Sequence, residues 1–199
     1  MPNKFKNMDT RKIVQALAFF AFRQPGHRLD NMKAYKLLWL ADRFQLRHSG
    51  RFLSGDRYFA MPLGPVPSDA KNILERKSTH LDNNEEYVAD YLELGDKNFT
   101  AKKDPDLRVF SSSDRDVLVQ VLELFGDKSA TKLSKMSHEF PEWLAYEEKL
   151  NDINCQNSYP IDVDLFFENA KVPDAKGFFD DTPEALGLAR ELYHQTNRI

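Results

Sequence analysis

Five histidines, His27, His48, His80, His138 and His194, and one cysteine, Cys155, are the residues of this 199-residue chain from which metal or nucleophilic chemistry would be built. A zinc site on a helix needs such ligands three or four residues apart. Here every histidine stands alone at that spacing, and a single cysteine allows neither a cysteine-based zinc cluster nor an intrachain disulfide. His138-Glu139 ahead of Trp143 has the types of a base and a carboxylate, yet the same residues at a helix start serve as a cap and an exposed charge. Cys155 has no Lys, Arg or His close in sequence to lower its thiol pKa. No Gly-x-Ser-x-Gly elbow occurs, and the 8 glycines form neither a P-loop nor a Gly-x-Gly-x-x-Gly turn. No catalytic, cofactor-binding or metal-binding residue is nominated, and the expectation is a protein that binds rather than catalyses.

Charge is the second chemical signal. Residues 1–51 hold 11 Lys/Arg against 3 Asp/Glu, and the remainder holds 17 against 28, so balances of +8 and -11 lie behind the net -3. Such segregation means either a phosphate-facing surface or two halves of a fold that neutralise each other. The basic stretch 33–51, followed by a strand and a hairpin, has the outline of a recognition helix with a wing. Its run Leu37-Leu38-Trp39-Leu40-Ala41 calls for burial on more than one side, and a buried helix cannot lie in a groove, so nucleic acid is not the expected partner. The longest apolar stretch, residues 13–22, is broken by Gln15 and is half of the ~20 residues that cross a bilayer. Without a charged-apolar-small signal at its start, the chain is expected to be cytoplasmic and free of membranes.

These residues need elements to position them. Apolar positions Ile13, Val14, Leu17, Phe20 and Ala21 predict a first helix that ends at Pro25-Gly26. Asp30 or Asn31 caps a second, with Leu37, Leu40, Ala41 and Phe44 as its buried stripe, Lys36, Arg43 and Arg47 projecting elsewhere, and Gly50 as its stop. Residues 57–61 read as a short strand, Gly64-Pro65-Val66-Pro67 as a turn, and residues 69–77 as a helix opened by Pro67 or Ser68. Residues 87–94 and 98–103 flank Gly95 as a hairpin. Ser113 with Asp116 resembles a capping box, and the stripe Val117, Leu118, Val121, Leu122 and Phe125 ends at Gly126. Short helices follow from Ser129 and Pro141, and residues 162–170 and 182–195 read as two more. The pattern predicts an α+β fold, predominantly helical, with one small antiparallel β-sheet made from the Tyr58 region and the 87–103 hairpin, and a helical C-terminal appendage over residues 151–199.

The block Lys36-Leu37-Leu38-Trp39-Leu40-Ala41-Asp42-Arg43, continued by Ser49-Gly50-Arg51, Gly55-Asp56-Arg57-Tyr58-Phe59-Ala60-Met61 and Gly64-Pro65-Val66-Pro67, resembles the Panacea domain, the SocA-like domain of phage-associated GepA-like proteins. Residues 111–114, Gly126, and Ser137-His138-Glu139 followed by Trp143 are similar to its later elements, so the likeness spans roughly residues 30–146. Trp39 and Ser49 stand where the family usually has Tyr, Ser137 stands for Thr, and Pro62-Leu63 replaces a more polar pair. The resemblance implies an antitoxin that neutralises a cognate protein toxin by direct binding. In one branch it implies an adaptor that delivers the toxin to a cellular protease, and no catalytic residues come with it. A DNA-binding transcriptional autoregulator is the rival reading.

Packing accounts for the leucines, and turns for Gly50 and Gly55, but not for the charges of the motif. The expected partner-binding residues are therefore Arg43, Arg51, Asp56, Arg57 and Tyr58, with an internal Asp–Arg clamp as the alternative. The acidic C-terminal part, with 13 Asp/Glu against 4 Lys/Arg over residues 137–191, is expected to join them if the toxin is basic.

Overall fold

In the computed structural model, which describes residues 10–77, 84–152, 156–170 and 181–197, one helix organises everything else. That helix is α2 (Asn31–Ser49), and α1 (Thr10–Phe22) precedes it. Asp30 caps α2 by accepting from the Lys33 N–H, and Gly50 ends it at φ 67°. Both boundaries are as the sequence predicts; the burial is not. The helix is enclosed on nearly every side, so that Lys36, Arg43 and Arg47 are as inaccessible as Leu37 and Trp39. Its neighbours are α1, α5 (Ser112–Phe125), α6 (Ala130–Ser137), the C-terminal α9 (Pro183–Thr196) and a small sheet.

The fold is predominantly helical α+β, with two small antiparallel sheets in place of the single one expected. In the first, β1 (Arg28–Asp30), β4 (Leu92–Leu94) and β5 (Asn98–Ala101) take the order β1-β5-β4, with Leu29 opposite Phe99. Residues 87–91, read as strand, belong instead to helix α4 (Glu85–Tyr91), where Tyr87 and Tyr91 pack ring to ring one turn apart. In the second sheet, β2 (Tyr58–Met61), β3 (Gly64–Pro67) and β6 (Tyr159–Pro160) take the order β3-β2-β6. The Gly-Pro-Val-Pro segment is thus a strand, and it lies at the sheet edge, where missing N–H groups cost no ladder bond.

Helix α3 (Ser68–Leu74) follows, and the capping box of α5 is formed by Ser111 and Asp114, two residues earlier than the pair anticipated. The short helices α7 (Pro141–Leu144) and α8 (Glu147–Asn151) lead to a C-terminal part that packs on the same core. Residues 163–167 form a 3-10 turn where a helix is expected, and it carries the buried Phe166 and Phe167. Helix α9 comes so close to α2 that a Cβ on Gly50 would sit 2.6 Å from the Ala189 carbonyl oxygen. Cys155 and His80 lie outside the described residues. Among those described, no helix is long and apolar enough to cross a membrane.

Candidate protein-interaction site

Alternation along β2 sorts the motif. Tyr58 and Ala60 point inward, whereas Phe59 and Met61 lie half-buried on the outer face. Inside, the Tyr58 hydroxyl donates to Asp42 Oδ2 at 2.6 Å, while Asp42 also accepts from the Ser54 backbone N–H at 2.7 Å and from the Ser54 hydroxyl. Burial pushes the Asp42 carboxyl up to about 6, against the pull of those donors. One turn of chain further on, Asp56 accepts from the N–H groups of Asp69 and Ala70 at 2.9 and 2.8 Å. It therefore caps α3, whose own N-cap is Pro67 with no side-chain acceptor. Burial and then the charge of Asp69 raise the Asp56 carboxyl well above its ordinary value. Arg57 answers both acids from outside, with Nη2 3.1 Å from Asp69 Oδ1.

A second network runs along α2. Arg43 Nε and Trp39 Nε1 both donate to Glu142 Oε1, at 2.9 and 3.1 Å, and Arg43 lies over the Phe140 ring. Arg43 Nη2 reaches the Glu168 carbonyl at 2.6 Å. Arg47, one turn on, donates to the Phe166 and Glu168 carbonyls, to Asn169 Oδ1 and to Asp181. Burial first and the neighbouring Arg43 charge second lower Arg47 to about 10.

Lys36 completes the interior. Its Nζ donates to the Pro65 carbonyl at 2.8 Å, and burial lowers it to about 7. Gly64, at φ 101°, lies against it: an added Cβ would overlap Ser137 Oγ and come within 2.6 Å of Lys36 Nζ. His138, weighed as a base, stacks on Trp143 at 3.8 Å while Trp143 Nε1 donates to the Met61 carbonyl, and Glu139 is exposed. Among the described residues no group of three or more His, Cys, Asp or Glu side chains is arranged to hold a metal ion.

Of the five residues expected at a partner surface, Arg43, Asp56 and Tyr58 are buried within these networks. Arg57 and Arg51 reach solvent, with side chains 58 % and 40 % exposed, and Arg51 pairs with Asp114 at 2.8 Å. The structure brings Asp56, Arg57 and Tyr58 together and leaves Arg51 at the start of α5. What sequence reasoning missed is the outer pair Phe59 and Met61 on β2, with Leu63, 55 % exposed, in the turn that follows and Leu144, 47 % exposed, on α7. The signal was present as the period of two along the strand, which sets Phe59 and Met61 on the face opposite Tyr58 and Ala60. A shallow cavity of about 160 Å³ opens in this face, lined by Phe59, Met61, Val66 and Lys71 together with Ser158.

The comparisons with known proteins bear on this same region. A family model described as "Antitoxin SocA-like, Panacea domain" matches residues 35–144, more than half of the chain, taking in α2 through α7 and every residue of the networks above up to Glu142. No curated protein and no solved structure matches the chain.

Proposed function

The chain belongs to the antitoxin SocA-like, Panacea domain family, and on that premise we propose that it neutralises a cognate protein toxin in the cytoplasm by binding it directly, without chemistry on either partner. The observation that carries the reading is how the motif disposes of its polar groups. Asp42, Asp56 and Arg43 are engaged internally, which builds a rigid frame. What the frame leaves outward is the half-buried Phe59 and Met61 on β2, the exposed Leu63 in the turn after them, and the Arg57 side chain just before the strand. Aromatic and arginine anchors at the centre of a patch are what a stable interface uses, and such an interface takes about 800 Å² from each partner. The partner-binding residues proposed are accordingly Arg57, Phe59, Met61 and Leu63.

Duplex binding has less to support it, because the basic α2 is enclosed and offers no face to a groove. The test is co-expression with the product of the adjacent reading frame. Growth arrest by that product alone, relieved by this chain and not by its Arg57→Glu/Phe59→Ala variant, is the expected result. A neighbour that is harmless, or that stays fully toxic beside the wild-type chain, overturns the reading.

A further inference from the structure

Residues 156–170 lie outside the matched domain and cross it as a strap held largely through backbone groups. On β2, Tyr159 and Pro160 pair opposite Ala60 and Phe59, and the Ile161 N–H donates to the Tyr58 carbonyl at 2.9 Å. On α2, the carbonyls of Phe166 and Glu168 accept from Arg47 at 3.0 and 2.9 Å, and Glu168 also accepts from Arg43. Between these anchors Phe166 enters a pocket of rings, 5.7 Å from Phe52 and 5.5 Å from Tyr58. Two side chains, Asn169 and Asp181, complete the hold on Arg47.

On the floor of this groove Arg43 and Trp39 share Glu142 from within the matched domain, whereas Arg47 is bonded to Phe166, Glu168, Asn169 and Asp181, all outside it. Arg43 and Arg47 are neighbours at i and i+4; Arg43 pairs with Glu142 inside the matched domain, and Arg47 pairs with Asp181 from outside it. Guanidinium donors directed at carbonyls read a backbone rather than a side-chain sequence. The strand component is weak, being two residues long. Its start, Ser158, lines the same cavity as Phe59 and Met61.

We propose that this groove is a docking site for an extended protein segment carrying an aromatic side chain, that residues 159–169 fill it in cis, and that the protein partner enters it by displacing them. The part concerning the partner rests on the antitoxin reading. Strand addition to β2 supplies the main-chain bonds, the ring pocket takes the aromatic, and the Arg43–Arg47 pair takes backbone carbonyls, as it takes those of Phe166 and Glu168. The strap is then a competitor, and weakening it strengthens binding by a ligand of the groove, because apparent affinity scales with the fraction of open molecules.

The test titrates a fluorescein-labelled peptide of residues 157–170 into the full-length chain and into its Asn169→Ala/Asp181→Ala variant, which loosens the strap while leaving the groove floor untouched. The variant is expected to bind the peptide about tenfold more tightly than the wild type, and a scrambled peptide not at all. Equal affinity for the two proteins, absence of binding to both, or equal binding of the scrambled peptide overturns the proposal. In the wild-type chain, binding of the adjacent frame's product is expected to speed hydrogen exchange at the Ile161 amide, and an amide as protected in the complex as before overturns the partner's use of the groove. A product that does not bind at all refutes the antitoxin reading instead, and the peptide titration still decides whether the groove opens.

Discussion

Arg43→Met distinguishes a residue that holds the molecule together from one that touches a partner. Methionine keeps most of the stem and removes the charge, so Glu142, fully buried beside it, retains Trp39 Nε1 as a donor but loses its counterion. Removing one partner of a buried pair costs roughly 3–5 kcal/mol, because the other charge stays desolvated. For a chain of this size each kcal/mol is worth about 2–4 °C, so the melting temperature is expected to fall by roughly 6–20 °C. The loss of the bond to the Glu168 carbonyl adds to this, since that oxygen loses a charged donor.

Scanning calorimetry at neutral pH measures the effect, and Arg43→Met/Glu142→Met supplies the control. With both charges gone and both side chains apolar, the double variant is expected to recover more than half of the loss, as buried pairs replaced by apolar residues often do. A single variant melting within about 3 °C of the wild type, or a double variant no more stable than the single, would refute the clamp.

Arg57→Gln is expected to behave in the opposite way, lowering the melting temperature by no more than about 4 °C, since the Arg57 side chain is 58 % exposed and a glutamine amide can still donate to the buried Asp69, while abolishing neutralisation in the co-expression assay. Gly64→Ala is expected to cost about 3 kcal/mol or more in urea unfolding, because the residue sits at φ 101° and its new methyl overlaps Ser137 Oγ; a loss under about 1 kcal/mol would contradict the packing. The Asp42 carboxyl, raised from 3.8 to about 6 in the fold, binds its proton more tightly folded than unfolded. Its contribution is therefore fully present below about pH 4 and declines as pH rises through 6, by about 3 kcal/mol for two pK units. Urea titrations of wild type and Asp42→Asn between pH 4 and 7 are expected to show the wild type losing that much relative to the variant, and a constant difference would be incompatible with a buried, raised Asp42.

What could be read from the chain follows how local each cause is. The caps Asp30, Ser129 and Thr182 act on N–H groups two or three residues away, and all three open helices as their types predict. Tyr87 and Tyr91 carry strand-like composition, yet the i, i+4 contact of their rings and the packing of Val88 on the core favour α4. The charges of α2 were the hardest to read. Arg43 finds Glu142 99 residues away, and Arg47 finds Asp181 134 residues away, so nothing near them in sequence marks them as interior. The charge asymmetry was the available hint: in these two pairs basic residues of the first half are neutralised by acidic residues of the second, inside the fold.

The same reasoning sets where a partner can and cannot sit. A charged residue in a motif attracts a functional reading because its burial is costly, but that cost is met here by internal partners. On the proposed reading, contact with the partner falls to residues with ordinary sequence signals. On β2 the difference is a single residue: Tyr58 and Ala60 close onto Asp42 and the core, and Arg57, Phe59 and Met61 are left outside by the pleat alone. The inner set holds the frame that fixes the outer set, because Asp56 anchors the end of β2 to α3 while Asp42 anchors Tyr58 to α2. Asp56→Asn is therefore a positioning change rather than a contact change: it leaves the outer row intact in composition, loosens the turn that aims it, and weakens neutralisation and thermal stability together, whereas loss at Arg57 falls on neutralisation alone.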